Sequence, residues 1–384
     1  MTKYLERYTR HIPHLRHERH ERYAWVGCAV VALGLALASD LGPHRVWGAV
    51  AGAGYTIAAI LACGARFRPA ARTVAVVGAV VVPLVSLVAS GLGQLEVTVV
   101  ERSGQLLLTT GSPYVNDPTA VADFNPYLPG MAVFGVLPGD ARWWTGGVFA
   151  AALVAAGLRR AWLFACPLVA LPLAVGGIDL PVVGLMCLGV VLAGQGRSGR
   201  AGLVLGAAAA LKWTAWPALP VALALIAVRR GSRPAVRFAA VALSTATAAV
   251  LPFALDNPSS FYRNVIAFPL GLTDTTSPAA SPLPGHLLAT CVAGGTVIAL
   301  SLVSVSALLI GMSLVVRPPG TPRAAAVRLS LGLGLAMAVM PATRFGYLIY
   351  PLVLCALAYR KTQHESLPAA RAVPVVSSRE KALV

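Results

Sequence analysis

The sequence predicts an all-α, polytopic integral membrane protein with about twelve transmembrane helices, and three observations support this. The 384 residues are 57% hydrophobic and only 12% charged, whereas soluble domains carry about 25% charged residues. The mean hydropathy is +0.74. Apolar stretches of about 15–20 residues recur between short basic clusters, which is typical of successive membrane spans.

The basic residues predict the orientation of these spans. The chain carries 31 Lys and Arg against 14 Asp and Glu, a net charge of +17. The basic clusters lie at 3–22, 66–72, 159–160, 197–200, 229–237, 317–328 and 360–361. Enough apolar sequence for two crossings separates consecutive clusters, so all of them fall on one side. The positive-inside rule makes this side, with both termini, cytoplasmic. Charge distributed in this way does not indicate nucleic-acid binding.

The predicted spans follow from the apolar segments in order. They are 24–41, 46–63, 73–92, 131–158, 161–176, 179–195, 201–213, 214–228, 236–255, 286–316, 324–341 and 345–359. Several are shorter than a full crossing, so we expect some helices to be tilted, broken at Pro172 or Pro217, or only half-buried in the membrane. Residues 1–23 are predicted to be a basic cytoplasmic tail without a signal peptide, 24–360 the membrane domain, and 361–384 a disordered cytoplasmic tail.

The acidic residues are segregated in this topology. Five lie in the tails, and nine fall on the predicted external side: Asp40, Glu96, Glu101, Asp117, Asp123, Asp140, Asp179, Asp256 and Asp274. Acidic residues have little influence on topology, so another cause is needed. Either exposed loops simply require polar residues, or the outer face carries a working site.

Several classes of site are not indicated. The six cysteines lie inside apolar segments without CxxC spacing, so we predict no metal site and no disulfide. No phosphate-binding glycine motif is present, which argues against an ATP-driven pump. We therefore predict no cofactor.

The first long external segment, 93–130, has an ordered pattern. Residues 95–109 place Leu95, Val99 and Leu106 at helical spacing, which predicts an amphipathic helix on the membrane surface. Glu96 lies at its start, where the third span ends. Turns rich in proline and tyrosine follow the helix.

Charged residues also occur at the ends of spans. Asp179 follows a glycine pair, Lys212 ends an alanine-rich run, and Arg344 begins the last segment. Such residues are costly in membranes and are often functional. The alternative is that the cations extend to the headgroups, as Lys212 could do beside Trp213.

One central stretch, AVGGIDLPVVGLMCLGVVLAGQGRSGRAGLVLGAAAALKWTAWPALP, resembles glycosyltransferase family 87, and the resemblance extends over roughly 85–360. Those proteins are bacterial multi-span, GT-C-type α-mannosyltransferases that use polyprenyl-phosphate-mannose. The positions that match are Gly177, Asp179, Gly202, Gly206, Lys212, Thr214 and Pro217. The family's loop acid is usually Asp, whereas this chain has Glu96, with Glu101 nearby.

The resemblance implies a GT-C-like fold, with 24–360 as the glycosyltransferase domain. It also implies transfer of a sugar, mannose in the family, from a polyprenyl-phosphate donor to an acceptor hydroxyl at the extracytoplasmic face. Such a transfer needs a carboxylate base and cations beside the leaving phosphate. The candidate bases are Glu96 first and Asp179 second. The candidate phosphate-binding residues are Lys212, Arg344 and Arg263, supported by His286. The candidate sugar-binding residues are Tyr114, Tyr127 and Trp213.

A transporter or flippase of lipid-linked sugars is the main alternative. Transporters often show inverted repeats and ionisable groups at mid-membrane, whereas this chain shows no convincing repeat and places its charges near one face. The expected partners are the lipid-linked donor, a lipid or glycan acceptor and membrane lipids, without nucleic acid. The alanine- and arginine-rich composition indicates a high-GC genome, so we expect an actinobacterial plasma membrane.

Overall fold

The computed structural model describes residues 2–275 and 278–360, with side chains from His20 onward, and the regular elements in these ranges are all helical. The first nine helices are α1 (Thr2–Ala38), α2 (Gly42–Leu61), α3 (Arg68–Val76), α4 (Val82–Ala89), α5 (Leu95–Thr110), α6 (Val133–Val136), α7 (Ala141–Ala155), α8 (Ala161–Phe164) and α9 (Pro167–Val175). The others are α10 (Asp179–Gly194), α11 (Ser198–Leu211), α12 (Ala218–Arg230), α13 (Ser232–Asp256), α14 (Pro258–Phe261), α15 (Pro284–Cys291), α16 (Gly295–Val316), α17 (Pro322–Val339) and α18 (Ile349–Ala358). The predicted disordered tail, 361–384, lies outside the described residues.

Every predicted span coincides with one helix or with consecutive helices. In the described part of the chain, five helical segments are long and apolar enough to cross a membrane: His20–Ala38, Ala65–Ala89, Ser232–Asp256, Gly295–Val316 and Pro322–Val339. Shorter apolar helices occupy Asp179–Gly194, Ser198–Leu211 and Phe345–Ala358. The chain is thus an all-helical membrane protein, and the count of twelve crossings stays a prediction.

Three predicted spans are interrupted. The segment 131–158 is divided between α6 and α7, and the segment 286–316 is divided at Gly294, which has a φ of 70° that favours glycine. In the segment 161–176 the helix is interrupted before Pro167, which is the first residue of α9. Of the two prolines named as possible break points, Pro172 lies inside α9, which continues through it, whereas Pro217 directly precedes α12.

A smaller bundle is formed by α1, α2, α3, α4 and α9. Gly48 of α2 lies so close to α1 that a Cβ atom there would be 2.4 Å from the carbonyl oxygen of Ala32. The buried Trp47 donates a hydrogen bond to Ala79 (2.8 Å), and Tyr55 donates one to Ala165 (2.5 Å). Buried polar groups require such partners, so these two side chains of α2 fix it against the segment between α3 and α4 and the turn before α9.

The larger bundle surrounds α10, which is buried along nearly all of its 16 residues. Its neighbours are α7, α11, α12, α17 and α18. Small residues allow the close packing, as between membrane helices generally. A Cβ atom at Gly202 of α11 would lie 2.7 Å from a carbonyl oxygen of α13, and one at Gly206 would lie 2.6 Å from another.

The bundle has two chemically different ends. Gly194, at the end of α10, contacts Pro322 at the start of α17, and Arg229 donates a hydrogen bond to Gly320 (3.1 Å). Turns that carry the basic clusters therefore meet at one end. Asp179, which begins α10, and Lys212, which follows α11, lie at the other end.

Helix α5 occupies the segment predicted to be amphipathic. Val99 is buried inside the protein and Leu95 is 40% exposed, so only part of the predicted apolar stripe packs against other helices. The face that packs inward contains Gly104, which touches the backbone of Gly135. The position of α5 on an external membrane surface stays a prediction.

Candidate functional site

A half-buried ion pair joins Lys212 to Asp179. The Lys212 Nζ lies 2.5 Å from Asp179 Oδ1, and the two side chains are 13% and 16% exposed. Helix α11 ends at Leu211, and Lys212 adopts an extended backbone that directs the chain out of the helix. Asp179 begins α10 directly after the turn at Gly176, whose φ is 106°. The two helix ends therefore place opposite charges side by side.

A tyrosine and a threonine extend this ion pair. The Tyr350 hydroxyl donates a hydrogen bond to Asp179 Oδ1 (2.5 Å) and lies 2.6 Å from Thr214 Oγ1. Tyr350 is fully buried. Both of the hydrogen bonds described for the Asp179 carboxylate end on Oδ1. The carboxylate is therefore oriented by two donors from different parts of the chain.

Two aromatic rings lie beside the ammonium group of Lys212. The Nζ atom is 4.7 Å from the ring centroid of Tyr347 and 5.6 Å from that of Tyr127. Such cation–π contacts stabilise a charge that is partly removed from water. Lys212 is thus held at the bundle end instead of extending freely to solvent, and its side chain is largely covered.

A second ion pair joins Arg344 to Glu96. Glu96 is 17% exposed and lies in the first turn of α5, whereas Arg344 precedes the turn that leads into α18. The backbone amide of Gln94 donates to Val175 (2.9 Å), which anchors the start of α5 at the end of α9. The side chain of Gln94 lies 2.6 Å from His44 Nε2.

His44 belongs to this second cluster. It lies near the start of α2, before the apolar segment 46–63. Burial lowers the pKa of His44, and the nearby positive charge of Arg344 lowers it further. The lowered pKa favours the neutral form of the His44 ring beside the pair of Arg344 and Glu96.

The two ion pairs lie in one region because the same two stretches of chain contribute to both. Val175 anchors α5, and only three residues separate it from Asp179. Likewise, Arg344 is followed closely by Tyr347 and Tyr350. The structure thus brings together both predicted carboxylates and two of the four predicted phosphate-binding residues.

The other two predicted phosphate-binding residues have different surroundings. Arg263 pairs with Asp117 (2.8 Å) on the surface, where the two side chains are 44% and 87% exposed. His286 Nδ1, by contrast, lies 2.9 Å from the carbonyl oxygen of Pro341, three residues before Arg344, so His286 lies close to the second ion pair. No contact described for either residue connects it to Lys212.

The predicted sugar-binding aromatics differ in their exposure. Trp213 is 39% exposed and lies beside Trp216. Tyr127 is buried against Lys212. Tyr114 is only 3% exposed and donates to the carbonyl oxygen of Tyr127 (3.0 Å), so it packs inside the loop.

Polar contacts hold the long segment between α5 and α6 in place. Asp123 accepts hydrogen bonds from the amides of Ala120 (2.9 Å) and Thr119 (3.2 Å), and these bonds lower the pKa of its carboxyl. The buried Asn264 accepts a bond from the amide of Asn125 (2.9 Å). These contacts position the aromatic turn that supplies Tyr127.

Two further acidic residues have structural partners. The buried Arg142 is held by Asp140 at 2.6 Å and donates to Leu92 (2.7 Å). Glu101 accepts a hydrogen bond from the amide of Ala141 (3.1 Å). Glu101 therefore stabilises the start of α7 and is directed away from Glu96.

Sequence reasoning did not select Tyr347 and Tyr350. Their spacing of three residues, which places side chains on one face of a helical turn, was the available signal. It could not distinguish a site from ordinary packing of aromatic residues.

In the described part of the chain, no group of three or more His, Cys, Asp and Glu could hold a metal ion; metal independence stays a prediction.

The fold and the site define a helical membrane protein with ion pairs concentrated at one end of its bundle. A family model for glycosyltransferase family 87 matches residues 118–341. The chain therefore belongs to glycosyltransferase family 87. Neither curated proteins nor solved structures give a match. The matched region contains Asp179 and Lys212, whereas Glu96 and Arg344 flank it. Nothing in these comparisons supports the transporter alternative.

Proposed function

We propose that this membrane glycosyltransferase moves a sugar, mannose by family resemblance, from a polyprenyl-phosphate donor to an acceptor hydroxyl at the extracytoplasmic face of the plasma membrane. The observation that carries the proposal is the pairing of Lys212 with Asp179 and of Arg344 with Glu96 at one end of the bundle. These pairs supply the cations and the carboxylates that such a transfer requires.

The depth of the site favours a lipid-linked donor. Helix α10 has 16 residues, which corresponds to about 24 Å, whereas the hydrocarbon core of a bilayer is about 30 Å thick. If α10 crosses the membrane, Asp179 lies near the boundary between the hydrocarbon and the headgroups. The phosphate of a polyprenyl phosphate lies at the same depth, while its tail remains in the bilayer.

The leaving phosphate would be bound by Lys212 and Arg344. Lys212 uses one of its three N–H donors on Asp179, and the ring of Tyr347 supports the charge. A guanidinium such as that of Arg344 can contact a carboxylate and a phosphate with different nitrogens. Both cations would stabilise the negative charge that grows on the phosphate as the glycosidic bond breaks.

Glu96 is the proposed general base. The acceptor oxygen would attack the anomeric carbon while the bond from this carbon to the phosphate oxygen breaks, with its electron pair remaining on the phosphate. The acceptor proton would pass to the Glu96 carboxylate. The products are the new glycoside and polyprenyl phosphate. Arg344 orients Glu96 and connects the base to the phosphate-binding region.

Asp179 is proposed as a positioning residue, with the role of base as the alternative. Its Oδ1 is occupied by Lys212 and Tyr350, which fits a carboxylate that fixes a cation. Trp213, which is partly exposed next to Lys212, is the proposed surface for the sugar ring. We leave Tyr114, which is buried, and Arg263, which lies on the surface, out of the proposed centre. His286, which contacts Pro341 close to Arg344, remains a proposed phosphate-binding residue.

The test is donor turnover by purified protein in micelles. Radiolabelled polyprenyl-phosphate-mannose is supplied with lipid and glycan acceptors, and guanosine-diphosphate-mannose serves as the control donor. We expect label to move to an acceptor from the lipid-linked donor alone. Turnover of the nucleotide sugar would contradict the proposal, as would movement of intact donor across proteoliposomes without its consumption.

A further inference from the structure

A cavity of about 390 Å³ lies between α16 and α17, far from the site described above. It begins at the turn between the two helices, where Thr321 and Arg323 line it, and extends along the apolar residues Ile310 and Leu331. Helix α17 has 18 residues, or about 27 Å, and Arg344 follows its other end. The cavity is therefore not part of the proposed catalytic site.

The end of the cavity at the turn between α16 and α17 is positively charged. Arg323 and Arg328 both line it, and the residues that line it include no acidic side chain. Arg328 Nη1 donates to the carbonyl oxygens of Ser313 (2.8 Å) and Arg317 (2.7 Å) at the end of α16. This leaves two guanidinium nitrogens that are not needed for those bonds. These bonds hold the Arg328 guanidinium at the same end of the cavity as the turn.

Arg323 is positioned by a different contact. Its guanidinium carbon lies 5.2 Å from the ring centroid of Tyr359, which follows α18. Beside it, Thr321 caps α17 by accepting a hydrogen bond from the amide of Ala324 (3.1 Å). The start of a helix also carries a partial positive charge. Two arginines and a helix start thus converge on one end of the cavity.

The rest of the cavity is suited to hydrocarbon. Ile310, Val327 and Leu331 form its wall, and Leu331 is 65% exposed on the outside of the bundle. Both helices are candidate membrane spans. Leu331 lies nine residues after Pro322, or about 13 Å along α17, which is the depth of an acyl chain below its headgroup.

We propose that this cavity binds an anionic phospholipid, with the phosphate on Arg323 and Arg328 and one acyl chain along Ile310, Val327 and Leu331. Basic pockets between membrane helices bind such headgroups. The site requires both a negative headgroup and a chain, so neither a zwitterionic lipid nor a free phosphate would replace the ligand.

The experiment measures lipid binding to the full chain in neutral detergent by native mass spectrometry. Phosphatidylglycerol is compared with phosphatidylcholine of the same chain length. The variants are Arg323→Gln, Arg328→Gln and Leu331→Trp, which fills the apolar part. Arg200→Gln removes the same charge from an exposed position outside the cavity and serves as the control.

We expect phosphatidylglycerol affinity to fall roughly fivefold in each cavity arginine variant, and also to fall in Leu331→Trp. The control should match the wild type, and phosphatidylcholine should bind more weakly than phosphatidylglycerol. Arg328→Gln also removes the hydrogen bonds of Arg328 to the end of α16, so a lower affinity in that variant could be structural. The Arg323→Gln variant tests the phosphate site without breaking these bonds. Unchanged affinity in Arg323→Gln, or equal binding of the two lipids, would overturn the proposal. Displacement by inorganic phosphate would do the same, as would displacement by polyprenyl phosphate as effective as that by phosphatidylglycerol.

Discussion

Replacement of Lys212 by methionine removes a charge from the ion pair with Asp179 and keeps most of the side-chain volume. At the Nζ–Oδ1 distance of 2.5 Å and an effective dielectric constant of about 20, two unit charges attract by about 7 kcal/mol. Desolvation offsets part of this attraction. Because the two side chains are 13% and 16% exposed, we expect a net coupling of about 1–3 kcal/mol between them.

The appropriate assay is a double-mutant cycle with Lys212→Met, Asp179→Asn and the double variant. Thermal unfolding in detergent gives the stability of each protein. Each single substitution should destabilise the protein, because it leaves the partner without its counter-charge. The double variant should lose less stability than the sum of the single variants. Additive effects, with coupling below about 0.5 kcal/mol, would refute the ion pair.

Sugar transfer by the same variants separates structure from chemistry. Lys212→Met should reduce turnover by roughly 10²–10³-fold, because it removes a cation from the leaving phosphate. The double variant should remain inactive even where its stability recovers. Recovery of turnover together with stability would show that neither residue acts in the transfer.

Three further predictions concern the base, the tyrosine and the topology. Glu96→Gln should lower turnover by about 10²–10⁴-fold, whereas Glu101→Gln, measured in the same assay, should be mild; the opposite result would place the base elsewhere on α5. Tyr350→Phe should lower the free energy of unfolding by about 1–2 kcal/mol, measured by thermal unfolding, and an unchanged stability would mean that its hydroxyl bonds contribute nothing. In a cysteine-free background, a cysteine at Asp117 should react with an impermeant thiol reagent in intact cells, and one at the exposed Arg200 should not. The reverse labelling pattern would show that the orientation in the membrane is opposite to the predicted one.

The location of the helices could be predicted from the sequence because it depends on local composition. A run of apolar residues lowers its free energy by leaving water, and its backbone must then form internal hydrogen bonds. Each predicted span therefore coincides with helical structure. The interruptions of the helices were harder to predict from the sequence, because α9 continues through Pro172 whereas the helix before it ends ahead of Pro167. Whether a proline ends a helix depends on the neighbours that satisfy the freed carbonyl group.

The chemistry of the candidate site was also partly predictable. Asp179, Lys212 and Arg344 stood out because charges at the ends of apolar segments are costly and need a compensating interaction. The sign of the charge on these residues and their approximate depth in the membrane follow from the order of residues alone. The sequence could not show which cation joins which carboxylate.

Only the tertiary structure decided these pairings. Asp179 and Lys212 are separated by 33 residues and meet because α10 and α11 pack side by side. Tyr350 joins them from the last helix, and Tyr114 is turned inward by the fold of its loop. Helix α10 packs against α11, its neighbour in the chain, and against α18, which is distant in sequence. Side-chain shape and backbone approach select this arrangement among others of similar local composition.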